Sequence, residues 1–391
     1  MPLPPLEALD PARFDRPEIL RGVANAARAL AELKGVAASI PNSGILLSTL
    51  PLQEARDSSA IENIVTTQDE LFREDAHPDA EINPAAKEVV RYRAALRRGF
   101  EEVQRTGLLT VRNILDIQAT LEQNNAGFRR VPGTTLKDQA GTVIYTPPQD
   151  ATDVARLMHE LERFINADPA YPVDPLVRMA LIHHQFESIH PFYDGNGRTG
   201  RIVNVLYLVK EGLLDLPILY LSRHIVRTKA RYYALLQAVR EEDRWEEWVA
   251  YLLEAVETTA KDALHTVRGI SALLHETKHH IRSKHRFYSQ DLINSLFRHP
   301  YTRIRFIEED LGVSRLTATR YLDLLVEDGV LIKRRVGRTS LYVNTRLVAI
   351  LAGLTPQPAV VREAPPTYGM GNVRADASEL RELARKDRIE P

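Results

Sequence analysis

The sequence predicts a mainly α-helical protein with one short β-hairpin in its centre and a second hairpin near its C-terminus. Three observations carry this prediction. Apolar residues recur at spacings of three and four through much of residues 111–265. Two short runs rich in threonine and branched residues flank a polar turn between residues 134 and 145. After residue 289, three helical runs precede two strand-like runs around a basic turn.

The composition is that of a globular protein without a membrane span. The 391 residues suggest two or three domains, and 44% of them are hydrophobic while 26% are charged. No run reaches the roughly 18 apolar residues of a transmembrane helix. The N-terminus lacks the basic leader of a signal peptide, so we expect a cytoplasmic protein with no membrane partner.

Cysteine content and net charge exclude several kinds of site. The chain has no cysteine, which excludes disulfides, thiolate metal sites and a cysteine nucleophile. Its net charge of −1 gives no global attraction to nucleic acid, so DNA binding would need a local basic patch.

Changes in composition divide the chain into four predicted regions. These are an N-terminal helical region at 1–110, a central region at 111–265, a C-terminal module at 266–352 and a tail at 353–391. The tail holds several prolines and few large apolar residues, so we expect it to be flexible.

Two polar residues of the N-terminal region share a spacing of four. Ser58 and Glu62 would therefore lie on one helix face. The ordinary interpretation is a serine cap and a solvated glutamate.

The central hairpin is predicted from two runs. One contains Thr134, Thr135 and Leu136, and the other contains Val143, Ile144 and Tyr145. A plain surface loop is the alternative.

A well-capped helix is predicted directly before the most informative stretch of the chain. Asp174 is a predicted N-cap, and Pro175 suits the first helical position. The helix carries His183 and His184, which lack the spacing of a zinc motif and which we expect to be structural. It places His190 at its C-terminal end.

Residues 190–201 read HPFYDGNGRTGR. Gly195, Asn196 and Gly197 can bring consecutive backbone N–H groups up to an anion, and the helix predicted to follow would favour a phosphate at its N-terminus. The alternative is a glycine-rich turn with a buried histidine.

The residue types around this turn suit phosphate chemistry. His190 can act as a general base near neutral pH. Asp194 is a suitable carboxylate ligand for Mg²⁺ that is otherwise held by phosphates and water. Arg198 and Arg201 present guanidinium groups that match phosphate oxygens.

This stretch resembles the signature of Fic-domain proteins. The match covers His190, Pro191, Phe192, Asp194, Gly195, Asn196, Gly197, Arg198, Gly200 and Arg201, and the preceding run HHQFESI is also similar. The resemblance implies a helical Fic core with a hairpin flap. It implies transfer of AMP from ATP, with Mg²⁺, to a Ser, Thr or Tyr hydroxyl of a target protein or of the chain itself. Gly197 favours this branch, because the phosphate-transferring branch carries a lysine nearby.

The resemblance also implies roles for individual residues. His190 would be the catalytic base, Asp194 the metal ligand, Arg198 the β-phosphate ligand and Arg201 the γ-phosphate ligand. The Asn196 side chain would orient the α-phosphate. Tyr233 would lie near adenine, although core packing is an equal alternative for this residue. The hairpin would be a flap that adds a strand to the target.

Ser58, Glu62 and Asn63 match the family's inhibitory motif. The resemblance implies that Glu62 competes with ATP for Arg201, which turns the α-phosphate away from attack. In some relatives this glutamate positions water to remove AMP, so AMP removal is an alternative activity.

The C-terminal module resembles a winged helix-turn-helix domain. Ser314 is the predicted cap of its recognition helix. The residues expected to contact DNA are Arg315, Thr317, Arg320, Lys333, Arg334 and Arg335. A DNA-binding transcriptional regulator is therefore the second functional hypothesis. A module for protein contacts or a homodimer is the alternative, since the motif fixes a fold more than a function.

Overall fold

The computed structural model describes residues 3–67, 84–137, 140–166, 171–336 and 339–353. The predicted tail lies outside these residues except for Gly353. The α-helices of the described part are α1 (Pro17–Ala38), α2 (Ser43–Ile61), α3 (Pro84–Thr106), α4 (Val111–Glu122), α5 (Ala151–Asn166), α6 (Pro175–Ile189), α7 (Asn196–Lys210), α8 (Leu221–Arg227), α9 (Lys229–Glu242), α10 (Trp245–Lys284), α11 (Gln290–Arg298), α12 (Ile304–Leu311), α13 (Arg315–Glu327) and α14 (Thr345–Leu351). The strands are β1 (Leu136–Lys137), β2 (Val143–Tyr145), β3 (Tyr301–Thr302), β4 (Ile332–Val336) and β5 (Thr339–Val343).

The predicted mainly helical fold with a small hairpin is confirmed. The long helix α10 packs along α1. On α1 the buried residues include Ile19, Ala26, Leu30 and Leu33, which recur at helical spacing on one face. The region boundary predicted at 265 falls inside α10, which continues without a break to Lys284.

Helix α6 lies at the centre of the core and leads directly into residues 190–197, which form the signature loop. Every residue from Leu176 to Ile189 is buried, so neighbours cover this helix on all sides. The Asp174 carboxylate accepts a hydrogen bond from the Leu176 N–H at 2.8 Å, as the sequence predicts. The helix ends at His190, whose φ of 49° turns the chain toward α7.

Helix α2 is fixed to its neighbours by buried polar contacts. The Glu54 carboxylate accepts hydrogen bonds from the Ser222 N–H and the Tyr92 hydroxyl, each at 3.2 Å. Burial raises the pKa of Glu54 to about 7. Ser58 lies in the last turn of α2, so it is not an N-cap, and Glu62 follows as the C-terminal cap residue.

The central hairpin is shorter than predicted. β1 begins at Leu136, so Thr134 and Thr135 precede the strand. The Gln149 side chain accepts a hydrogen bond from the Gly133 N–H at 2.6 Å and donates one to the Thr134 carbonyl at 3.0 Å. These bonds engage the backbone that the prediction assigned to a β-ladder.

The described part of the C-terminal module contains the end of α10, helices α11 to α14 and a three-stranded antiparallel sheet of order β3-β5-β4. Its helices α11, α12 and α13 precede the β4–β5 hairpin, which is the element order expected for a winged helix-turn-helix. Ser314 caps α13 by accepting a hydrogen bond from the Thr317 N–H at 3.3 Å. Helix α11 packs against α2 and thereby joins this module to the rest of the fold.

The close approach of α7 to α6 gives a stability prediction. A Cβ at Gly200 would lie 2.7 Å from Glu187 Oε1 and 3.0 Å from the Phe186 ring. We expect Gly200→Ala to lower the free energy of unfolding by about 1–3 kcal/mol through overpacking. Gly35→Ala is the control, because nothing lies within 4 Å of its added Cβ. Urea unfolding measures the free energy of unfolding of both variants and the wild type. A Gly200→Ala protein as stable as the wild type would contradict the prediction.

Candidate active site

A cavity of about 1150 Å³ opens where α2, α3, α4, the central hairpin, the signature loop and α9 meet. This volume accommodates a nucleotide-sized ligand. The predicted site residues that line it are Glu62, Asn63, Thr135, Leu136, Ile144, His190, Asp194, Gly195, Asn196, Gly197, Arg198, Arg201 and Tyr233. The fold therefore gathers residues that lie far apart in the sequence around one space.

The signature loop forms a tight turn at the N-terminus of α7. Gly195 has a φ of 77°, which only glycine adopts without strain. Asn196 accepts a hydrogen bond from the Phe192 N–H at 2.8 Å and donates one to the Phe192 carbonyl at 2.9 Å. The Asn196 side chain thus holds the loop closed, which leaves the backbone N–H groups of Asn196 and Gly197, at the N-terminus of α7, as donors for an anion.

His190 is held in place by an arginine that the sequence analysis did not single out. Arg129 is 1% exposed. Its Nε donates to the His190 carbonyl at 2.8 Å, and its backbone N–H donates to the Pro191 carbonyl at 2.9 Å. Burial, followed by the nearby Arg129 and Arg240, lowers the pKa of His190 to about 4. The imidazole is therefore neutral at physiological pH and able to accept a proton.

Glu62 bridges both signature arginines. Its Oε2 lies 2.6 Å from Arg198 Nε, and its Oε1 lies 3.0 Å from Arg201 Nη2. Arg201 is 2% exposed and also donates to the Ser58 hydroxyl at 2.8 Å and the Ser58 carbonyl at 3.1 Å. The predicted contact between Glu62 and Arg201 is thus present, and Glu62 engages Arg198 as well.

Two further carboxylates reach Arg198. Glu88 on α3 forms an ion pair with Nη1, and Glu122 on α4 lies 3.1 Å from Nη2. Burial, followed by repulsion from Asp194 and Glu62, raises the pKa of Glu122 to about 7. Sequence analysis missed both glutamates, because neither belongs to a local motif.

Gly197 is required by the bridge itself. A Cβ at this position would lie 2.9 Å from Arg201 Nη1 and 2.9 Å from Glu62 Oε1. Any side chain here would press on the ion pair.

Asp194 stands at the mouth of the cavity with 77% of its side chain exposed. Its Oδ1 accepts a hydrogen bond from the Gly195 N–H at 2.7 Å. Among the described residues no group of three or more His, Asp or Glu side chains could hold a metal ion. A lone carboxylate beside a phosphate loop does fit Mg²⁺ that takes its other ligands from phosphates and water.

The hairpin and α9 form the outer wall of the cavity. The Gln237 side chain donates to the Ile144 carbonyl at 2.9 Å, and the Tyr145 hydroxyl donates to the Ser188 carbonyl at 2.9 Å. The Val143 and Ile144 side chains are 49% and 40% exposed, so an apolar edge faces outward beside the cavity.

The paired tyrosines of α9 have different environments. Tyr233 lines the cavity and is 44% exposed, whereas Tyr232 is buried and its hydroxyl lies 2.9 Å from His183 Nε2. Burial lowers the pKa of both His183 and His184 to about 3. Both histidines are therefore neutral core residues in this fold.

The predicted DNA-contact residues lie on two elements of the C-terminal module. Arg315 and Arg320 are exposed on α13, as are Lys333, Arg334 and Arg335 on β4, while Thr317 is partly buried. Lys333 Nζ lies 2.7 Å from Asp323 Oδ1, so an acid of the same module balances its charge. Leu316, beside Arg315, is 82% exposed.

Family models match three consecutive parts of the chain. Residues 20–101 match the Fic/DOC family N-terminal region and residues 108–208 match the Fic/DOC family. Residues 273–347 match the C-terminal domain of SoFic-like protein adenylyltransferases. The chain is thus a Fic-domain protein. It belongs to the Fic/DOC family, with the N-terminal region and SoFic-like C-terminal domain that these matches define.

Curated relatives match part of this chain. The protein adenylyltransferase Fic of Culex quinquefasciatus is 29% identical over 148 residues, which is 36% of this chain and 26% of the relative. The Drosophila melanogaster protein of the same name is 32% identical over 96 residues, which is 25% of this chain and 18% of the relative. The chain therefore spans about a quarter or less of the length of these relatives.

Solved structures share the fold. A Fic family protein from Desulfovibrio desulfuricans G20 superposes with a TM-score of 0.53 at 20% identity, covering 84% of this chain and 96% of that protein. In the described part of the chain, none of the helices is both long and apolar enough to span a bilayer.

Proposed function

We propose that this protein transfers AMP from ATP to a hydroxyl group of a target protein and that Glu62 restrains the reaction. The observation that carries the proposal is the placement of a neutral, partly buried His190 beside a glycine-rich turn and two buried arginines in one nucleotide-sized cavity. The names of the curated relatives agree with this activity.

The proposed reaction requires one group that accepts a proton and several hydrogen-bond donors that bind the phosphate oxygens. The target hydroxyl attacks the α-phosphorus, and a new P–O bond forms while the bond to the bridging oxygen breaks. His190 accepts the hydroxyl proton, and pyrophosphate leaves with the bonding electron pair. The backbone N–H groups of Asn196 and Gly197 stabilise the charge that develops on the phosphate oxygens.

The remaining site residues bind and orient the substrates. Arg198 and Arg201 bind the β- and γ-phosphates through their guanidinium groups. Mg²⁺ held beside Asp194 would neutralise phosphate charge. The exposed ring of Tyr233 offers a stacking surface for adenine, and the β2 edge offers backbone groups to an extended target segment.

Glu62 opposes this arrangement by occupying both arginines. A nucleotide whose terminal phosphates cannot reach Arg201 would bind with a displaced α-phosphate. Misplacement of about 1 Å costs about a hundredfold in rate. The same Glu62 therefore sets the resting state as an inhibited one.

Substitution of Glu62 tests the restraint. We expect Glu62→Gly to raise incorporation of α-labelled ATP into protein by about a hundredfold, because both arginines lose their shared carboxylate. Glu62→Gly/His190→Ala should show no incorporation while it still binds ATP. Glu101→Gly is a control for a glutamate lost from a surface ion pair with Arg97. Equal labelling by Glu62→Gly and the wild type would contradict the restraint.

The acid limb of the pH profile tests whether the proposed base His190 has a lowered pKa. A base with a pKa of about 4 stays deprotonated at pH 5.5, so the transfer rate of Glu62→Gly should change less than about twofold between pH 7.5 and 5.5. A histidine of ordinary pKa would lose about tenfold at pH 5.5. Initial-rate labelling measures this, and ATP binding by Glu62→Gly/His190→Ala over the same range separates binding from chemistry. A tenfold loss of rate with unchanged ATP binding would contradict the lowered pKa of His190.

A further inference from the structure

Arg198 is enclosed by carboxylates from four separate segments. Its side chain is 5% exposed. Glu62 Oε2 lies 2.6 Å from Nε, while Glu122 Oε1 and Asp194 Oδ1 lie 3.1 Å and 3.4 Å from Nη2. Glu88 pairs with Nη1. All three guanidinium nitrogens therefore face an acid before any nucleotide binds.

The two signature arginines differ in what remains when Glu62 is withdrawn. Among the described residues, Glu62 is the only carboxylate within ion-pair distance of Arg201, and the other hydrogen bonds of Arg201 go to the neutral hydroxyl and carbonyl of Ser58. The buried Glu54 and Glu187 act on Arg201 only from a greater distance. Arg198 would still face Glu88, Glu122 and Asp194. Withdrawal of Glu62 thus removes the ion-pair partner of Arg201, whereas three carboxylates still contact Arg198.

We propose that Glu88 and Glu122 form a second restraint on nucleotide binding, which acts on Arg198 and is independent of Glu62. The inference rests on the proposed function, because it takes Arg198 as a ligand of the nucleotide's β-phosphate. A phosphate must displace these carboxylates from the guanidinium donors, so they weaken binding of ATP and ADP.

The position of Glu122 strengthens this restraint. A Cβ at Gly195 would lie 2.5 Å from Glu122 Oε1, so this carboxylate packs directly against the phosphate loop. The side chains of Glu88 and Glu122 are 20% and 14% exposed, which limits screening by solvent and salt. In its ionised form Glu122 therefore competes with a phosphate for Arg198 and also repels the phosphate at the loop.

Nucleotide binding in a protein that cannot turn over tests the second restraint. The background is Glu62→Gly/His190→Ala, and calorimetry measures the Kd for Mg-ATP, Mg-ADP and adenosine. We expect added Glu88→Gln, and separately Glu122→Gln, to tighten ATP and ADP binding by roughly fivefold, the effect of about 1 kcal/mol. Adenosine binding should stay within about twofold, since it carries no phosphate.

Two controls show whether the effect runs through Arg198. Glu101→Gln, on the same helix as Glu88 but paired with Arg97 at the surface, should leave every Kd unchanged. In a background that also carries Arg198→Ala, the gain from Glu88→Gln should disappear, because the two residues act through one ion pair.

The outcomes separate this inference from the proposed function. If the Glu62→Gly/His190→Ala background binds ATP and neither Glu88→Gln nor Glu122→Gln tightens this binding, the second restraint alone is overturned. A Glu88→Gln gain that persists with Arg198→Ala would also overturn it, since the effect of Glu88 would then be general electrostatics. No ATP binding by the Glu62→Gly/His190→Ala background would overturn both the inference and the proposed function.

Discussion

The bridge from Glu62 to Arg198 and Arg201 is the interaction on which the state of this site depends. It joins the end of α2 to the first turn of α7 across the cavity. Both arginines are almost fully buried, so water hydrates neither positive charge. The partly buried Glu62 carboxylate forms an ion pair with both of them. A buried charge left without its partner is strongly unfavourable. For Arg201, whose ion pair is made by Glu62, a polyphosphate is the natural replacement when Glu62 withdraws.

The packing around α2 places this bridge. Glu54 ties the helix to α8 and α3, and Arg223 donates to Asp57 and Gln53 from α8. On another side α11 of the C-terminal module packs against α2. The position of Glu62 is thus determined by contacts of α2 with α3 and α8 and with the C-terminal module together. The proposed restraint by Glu62 would therefore depend on tertiary packing more than on the short motif that carries it.

Local patterns predicted much of the fold and site. Helical periodicity, the Asp174 cap and the Ser314 cap were readable because each depends on residues close in sequence. The signature predicted the tight glycine turn at the N-terminus of α7 for the same reason. The sequence did not predict the roles of Arg129, Glu88 and Glu122. Each reaches the site from a distant element, and none belongs to a local sequence motif. The start of β1 was misplaced because Gln149, beyond the hairpin, binds the preceding backbone.

The most direct test of the account is the pose of bound ATP. Crystal structures of the wild type and of Glu62→Gly with Mg-ATP would locate the α-phosphorus relative to His190 Nε2. The account predicts a wild-type structure that keeps the Glu62–Arg201 ion pair and holds the α-phosphate turned away from His190, and a variant with the γ-phosphate on Arg201 and the α-phosphorus open to in-line attack. The same α-phosphate position in both structures would contradict it.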